Sequence, residues 1–160
     1  MRPVDDLDLA ILAELEANAR APVSELARRL GSPNSTIRDR IRKLEEDGVI
    51  RGYSAILDPE KLGLNLKAIL QVTWTQSVPP EDTVTRPAQL PEVVHLQILT
   101  GDIDELITVY ARNVEDLKRI IYSKFEQLPG LAKLSTAIVL EERRFPLTEC
   151  LKGSRSKPTL

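Results

Sequence analysis

Residues 22–50 read PVSELARRLGSPNSTIRDRIRKLEEDGVI. The stretch predicts a helix, a tight turn, a second helix and a short strand. That is the layout of a helix-turn-helix, an element that places its second helix in a DNA major groove. Ala27 and Gly31 lie four apart and share a face, so the second helix can cross closely there. Gly31 is where the chain must leave the first helix, and a left-handed exit suits glycine. Leu26 and Leu30 supply apolar contacts. Ser32 is expected to cap the second helix, with Pro33 at its first position.

The second helix is expected from about Pro33 to Glu46. Ile37, Ile41 and Leu44 follow a helical period and define its inward stripe. The opposite side carries Ser35, Asp39, Arg42 and Glu46, flanked by Arg38 and Lys43. Arg40 falls at the edge of the stripe, so it is expected to be partly packed and structural. Charge is partitioned in the same sense. The chain as a whole carries a net charge of −2. Between Arg20 and Arg51, eight basic residues face five acids (Glu25, Asp39, Glu45, Glu46, Asp47). The first nineteen residues hold only Arg2 against Asp5, Asp6, Asp8, Glu14 and Glu16. The basic surface therefore belongs to the turn and the second helix, where phosphates would lie. The local excess is modest, so useful affinity calls for a dimer on paired half-sites.

Composition bounds the rest. With 160 residues, 42% of them apolar, the chain suits one domain or two small ones. No segment approaches the ~20 apolar residues of a membrane span, and MRPVDDLDLA at the start lacks an apolar signal region. Cys150 is the single cysteine, which fits a reducing cytoplasm. His95 is the single histidine, and no Cys/His spacing suggests a metal. No cofactor is expected.

Leu7, Ile11, Leu12 and Leu15 predict a first helix ending around Asn18. GVIRGYSAIL, residues 48–57, reads as a strand able to form a small wing or a hinge. Asp58-Pro59-Glu60 and Gly63 punctuate the chain there. Leu66–Thr75 alternates, with Leu66, Ala68, Leu70, Val72 and Trp74 on one face. Val93–Thr100 and Glu105–Arg112 predict a hairpin across residues 101–104. Asn113 caps a helix with Asp116 at its third position, and Leu117, Ile120, Ile121, Phe125 and Leu128 form its inward stripe. Lys133–Glu141 is the fourth strand, and a short helix is expected between Pro80 and Leu90. The order is βαββαβ. The fold class is α+β: an N-terminal winged helix-turn-helix (residues 1–52), a linker or hinge strand (53–64), a ferredoxin-like sandwich (65–146) and a flexible tail (147–160). One sheet face is left bare, and self-association is the simplest cover.

The chain resembles the Lrp/AsnC ("feast/famine") family of regulators from about Asp5 to Arg144. Four stretches carry the resemblance: LDLAILAELEANAR, TIRDRIRKLEEDGVIRGYSAILDPEKLG, TGDIDELI and LPGLAKLSTAIVLEE. The resemblance implies a DNA-binding N-terminal domain and an amino-acid-sensing C-terminal domain. It also implies dimers through the C-terminal sheets, often assembled into octamers. An effector pocket is implied between dimers. Here it would comprise the loop Gly101, Asp102, Ile103 and Asp104, with Thr136, Ala137 and Ile138 facing it. Loop carboxylates suit an ammonium group and hairpin N–H groups suit a carboxylate, although glycine-aspartate is also a good turn without a ligand. Three departures from the family stand out. Ser32 replaces an apolar residue. Residues 78–90, VPPEDTVTRPAQL, carry three prolines where a full helix is usual, so one or two turns are expected. Ala137 replaces a larger side chain.

On this basis Ser35, Thr36, Arg38, Asp39 and Arg42 are expected at base edges, with Arg-to-guanine the favoured contact. Asp39 would accept from cytosine or orient Arg42. Arg20, Arg28, Arg29, Lys43 and Arg51 are expected at phosphates. Two other classes are less consistent with these residues. Relatives of this architecture resemble siroheme decarboxylases, but such chemistry wants several polar groups around a tetrapyrrole and only His95 is offered. A ligand-binding assembly module without DNA binding is opposed by the basic outward face of the second helix.

Overall fold

A computed structural model of the chain describes residues 3–77 and 79–151. Six helices and four strands follow in order: α1 (Asp6–Ala17), α2 (Val23–Leu30), α3 (Asn34–Glu46), β1 (Leu66–Trp74), α4 (Pro80–Ala88), β2 (Val93–Ile98), β3 (Glu105–Ala111), α5 (Val114–Ile120), β4 (Leu131–Ile138) and α6 (Leu147–Leu151). The chain divides into two compact units. One is the described part of Met1–Ile56 with Arg143–Leu160; the other is Leu57–Glu142.

The first unit packs α1, α2 and α3 around Ile11, Leu26, Ala27, Ile37 and Leu44, with Leu7, Leu12, Leu15, Leu30 and Ile41 against them. α1 opens with a reciprocal cap. The Asp8 N–H donates to the Asp5 side chain and the Asp5 N–H donates to the Asp8 side chain. The Arg40 guanidinium of α3 then binds both carboxylates, at 3.2 Å to Asp8 Oδ1. Asp8 is fully buried, so a single side chain caps α1 and anchors α3. Arg40 thus takes the structural role expected of it.

Gly31 ends α2 at φ 61°, in the left-handed region, where a Cβ would be strained although no atom lies near enough to clash with it. The cap of α3 differs from expectation. Pro33 is the capping residue, in extended conformation, and no side chain caps the helix. The Ser32 hydroxyl instead donates back to the Leu30 carbonyl at 3.4 Å. The strand expected over residues 48–57 is also missing. A turn closes after α3, with the Ile50 N–H donating to the Leu44 carbonyl, and residues 51–57 run on without a ladder. No wing strand is present among the described residues, and the expected hinge contains only a 3₁₀ turn at Glu60–Leu62. A strand exists only by pairing, and this segment has no partner strand among the described residues.

The second unit is one antiparallel sheet in the order β2-β3-β1-β4. Ala68, Leu70, Val72 and Trp74 of β1 and Ile107, Val109 and Ala111 of β3 share its buried face with Leu117, Ile120 and Phe125. The fourth strand lies two residues earlier than expected at its start and stops three residues sooner. α5 is capped by the Asn113 side chain and continues as a π-helical turn at Ile121–Phe125, which carries Phe125 into the core. α4 is longer than the one or two turns expected, at nine residues. Pro87 lies near its end, where it removes one hydrogen bond without ending the helix earlier. Val78 lies outside the described residues.

The C-terminal boundary is the largest correction. Residues 143–146, expected with the sheet, belong to the first unit. Leu147–Leu151, expected as flexible tail, form α6. The Glu16 carboxylate of α1 accepts from the Leu147 N–H (2.7 Å), the Thr148 N–H (3.0 Å) and the Thr148 hydroxyl (2.5 Å). A side chain 131 residues away thus caps the helix, a link that no local pattern reveals. The remainder of the expected tail lies outside the described residues.

Two substitutions test these supports. Asp8→Ala removes a buried cap and half of the Arg40 pair, and should destabilise the first unit by roughly 2–3 kcal/mol in chemical denaturation. In the second unit the Arg112 and Arg119 guanidiniums, with the Arg112 backbone N–H, hold the Asp116 carboxyl well below the usual carboxylate range. A lowered folded-state value contributes stability above the unfolded value of about 3.9, which is lost as pH falls through the folded value. The stability gap between the native chain and Asp116→Asn should therefore be full at neutral pH and close below about pH 4.

Candidate nucleic-acid interface and effector loop

α3 presents one face to the core and one to solvent. Ser35, Arg38, Asp39, Arg42, Lys43 and Glu46 are exposed along its outer side, and Thr36 is half-buried. Their electrostatic situations differ. Arg42 stands between two acids, 3.8 Å from Asp39 and 3.4 Å from Glu46. Arg38 makes no ion pair among the described residues and is the freest guanidinium on this face. Asp39 lies within ion-pair reach of Arg42.

The basic residues around α3 divide in the same way. Arg28 is exposed at the end of α2 without an ion pair among the described residues. Its neighbour Arg29 is clamped by Glu14 at 2.8 Å and Glu25 at 2.5 Å, which ties α1 to α2 and leaves it less available than its exposure suggests. Arg20, Lys43 and Arg51 are exposed and also lack ion pairs among the described residues. The first unit thus gathers all ten expected DNA-facing residues, with Arg29 and Arg42 already spoken for.

The residues expected around an effector are not gathered within one chain. Gly101 and Asp102 are exposed at the β2–β3 turn, with Gly101 at φ 129°. Ile103 and Asp104 are half-buried. The Asp104 carboxylate accepts from the Trp74 backbone N–H at 2.8 Å, and its own N–H donates to the Val72 carbonyl at 3.0 Å. Asp104 is therefore a clasp on the end of β1, and Asp102 is the loop carboxylate left open. Thr136 and Ala137 pair with Leu70 and Ile69, on the far side of β1 from β3 and back along the strand from the loop. Thr136, Ala137 and Ile138 are exposed but do not face the loop of their own chain.

Sequence reasoning missed Glu105. It is 1% exposed at the first position of β3, on the face shared with Ile107, Val109 and Ala111. The two-residue period of the strand, which those apolar residues follow, already placed it inward. Neither of its oxygens has a hydrogen-bond partner, and the buried Trp74 indole N–H also lacks one.

Two further surfaces lack cover among the described residues. The sheet face opposite the helices carries Ile69, Leu106, Thr108 and Tyr110, with His95 and Ala137 toward its edges. In the first unit a cavity of about 810 Å³ is lined by α1, residues 49–54 and α6, mainly with apolar side chains such as Leu9, Leu12 and Leu151. Tyr53 lines it and donates its hydroxyl to Glu45 at 2.8 Å.

Comparison with known proteins places this architecture. Residues 4–51 match the winged helix-turn-helix DNA-binding family, and residues 67–145 match the Lrp/AsnC ligand binding domain. The chain is 33% identical over 142 residues to the HTH-type transcriptional regulator FL11 of Pyrococcus horikoshii, covering 89% of this chain and 93% of that protein. It is 35% identical to the proline dehydrogenase transcriptional activator of Rhodobacter capsulatus, covering 86% and 91%. Among solved structures it is similar to a transcriptional regulator of Neisseria meningitidis in complex with L-Met, with a TM-score of 0.85 and 26% identity over 91% of this chain and 96% of that one. It is also similar to AsnC of E. coli, with a TM-score of 0.81 and 26% identity over 90% and 97%. A helix-turn-helix unit joined to a four-stranded βαββαβ unit, matched along nearly the whole chain, makes this protein a member of the Lrp/AsnC family of transcriptional regulators.

Proposed function

We propose that this regulator reads its operator with the outer face of α3, acts as a dimer or a higher assembly such as an octamer, and is modulated by an amino acid. The observation that carries the DNA reading is the contrast along α3. Arg40 is pinned at the rear by Asp5 and Asp8, while Arg38 is exposed at the front without a competing carboxylate among the described residues. A fixed helix with a free guanidinium suits bidentate recognition of guanine. Ser35, Thr36, Asp39 and Arg42 flank it as further base-edge candidates. Arg20, Arg28, Lys43 and Arg51 suit phosphates, with Arg29 a weaker candidate because its carboxylate partners compete.

Self-association is supported by the bare sheet face, the unpaired segment 51–57 and the exposure of Ile56 (90%) and Leu57 (67%). The effector reading is supported by the match to a ligand-binding domain and by the L-Met bound to the Neisseria meningitidis relative. In this reading Asp102 receives the ammonium group, Gly101 and Ile103 shape the loop, Asp104 clasps it to β1, and Thr136, Ala137 and Ile138 come from a second copy. A cytoplasmic location accompanies a DNA-binding role, and no helix among the described residues is long and apolar enough to cross a membrane.

Binding to DNA from upstream of the gene, followed by fluorescence anisotropy across a salt series against a random duplex, tests the first part. Arg38→Ala should cost about 1–3 kcal/mol on the specific duplex and relax sequence preference. Arg28→Ala should weaken both duplexes alike and reduce the salt slope by about one. Equal losses on both duplexes for Arg38→Ala would reject its base-reading role.

The second part is tested by adding L-methionine and other amino acids while sedimentation and anisotropy are recorded. A ligand-dependent change in assembly or DNA affinity is expected, abolished in Asp102→Asn with the fold intact. A response that survives in Asp102→Asn would place the ammonium elsewhere.

A further inference from the structure

Glu105 begins β3 immediately after the 101–104 loop, and its carboxyl is buried without a hydrogen-bond partner. Such a group is far less costly as a neutral acid than as an unpaired anion. Its neighbours come from three elements. Val72 on β1 and Ile98 on β2 stand directly opposite. Trp74 on β1 and Thr83 on α4 bring an indole N–H and a hydroxyl toward it. The charge acting on it is that of Asp104, the preceding residue. On α4, Asp82 and Arg86 pair with each other at 2.7 Å and Glu81 is exposed. His95 lies on the opposite face of the sheet, paired with Thr108. Burial pushes the Glu105 carboxyl up and the Asp104 charge adds to this, while the Trp74 indole N–H and the Thr83 hydroxyl, close by but outside hydrogen-bonding geometry, offset only part of it.

These neighbours belong to parts of the fold that face different tasks. Trp74 is held through its backbone N–H by Asp104, so the loop and the end of β1 form one clasp. Thr83 belongs to α4, a helix that carries Pro87 near its end. Glu105 lies under the junction of the two.

We propose that Glu105 is a proton-operated latch between the 101–104 loop and α4. Protonated, its carboxyl both donates and accepts, and it lies between the Trp74 indole and the Thr83 hydroxyl without an unpaired charge. Ionised, it draws water into a dry site, and the part that yields is α4 together with the loop clasped to Trp74. The latch does not depend on the loop binding an effector; where the loop does bind one, that binding becomes pH-linked.

Trp74 is the single tryptophan of the chain, so fluorescence of the full-length protein excited to the red of tyrosine absorption observes this site alone. Its emission should titrate with a midpoint above the ordinary glutamate value of about 4.3. Amide exchange in residues 80–88 and 101–104, corrected for the intrinsic rate, should quicken several-fold across the same midpoint. Glu105→Gln should abolish both transitions, and Asp104→Asn should lower the midpoint by removing the neighbouring charge. A transition that persists in Glu105→Gln would assign the proton to another group and overturn the proposal. So would a fluorescence transition without a matching change in exchange, or a flat native profile between about pH 4.5 and 8. Should Glu105→Gln fail to fold, infrared spectroscopy of the native chain decides. A carboxylic-acid band that titrates above the ordinary glutamate value, after the other side-chain carboxyls have ionised, is expected, and its absence would reject the latch.

Discussion

The position of α3 depends on one partly buried interaction, the grip of Arg40 on Asp5 and Asp8. Asp8 is fully buried and serves two helices at once, accepting from the Asp5 N–H at the start of α1 and from the Arg40 guanidinium of α3. A buried carboxylate without a cation would be costly, so α1 and α3 are constrained to meet at this point. The apolar cluster around Ile11, Leu26 and Ile37 supplies most of the driving force, but apolar contact is not directional. The charged contact is directional, and it sets the rear of α3 so that Arg38 faces solvent.

The same economy recurs elsewhere in the chain. Asp104 holds β1 by a backbone N–H and a carbonyl, Asp116 gathers two arginines and a backbone N–H, and Glu16 caps α6 across the first unit. Each is a carboxylate placed where backbone donors would otherwise lack partners. Glu105 is the exception, an acid buried without such donors, at the one place where the candidate effector loop enters the sheet.

Several surfaces of the isolated chain are incomplete in a consistent way. Among the described residues the segment 51–57 joins no ladder, the sheet has one face without helices, and Thr136–Ile138 point away from the loop they are expected to join. Each of these would be resolved by a second copy, in keeping with a family signature that spans both units. The unpaired segment also explains the missing wing: its β-forming residues Tyr53 and Ile56 have the right character for a strand and no partner within one chain.

Periodicity in the sequence was enough to place α1, α2 and α3, the four strands, and the inward set Ile37, Leu44, Leu70, Leu117 and Phe125, because local apolar spacing reports directly on which face is buried. It also placed Arg40 correctly, from its position beside the stripe. Inward direction was equally readable for Glu105, but its lack of partners was not, since that depends on what β1 and α4 bring to the same spot. The sequence likewise could not show that Arg29 is clamped by Glu14, that Asp104 serves β1 while Asp102 stays open, or that Glu16 makes a helix of Leu147–Leu151. These are pairings between residues distant in the chain, and a side chain's charge is visible in the sequence while its partner is decided only when the chain folds.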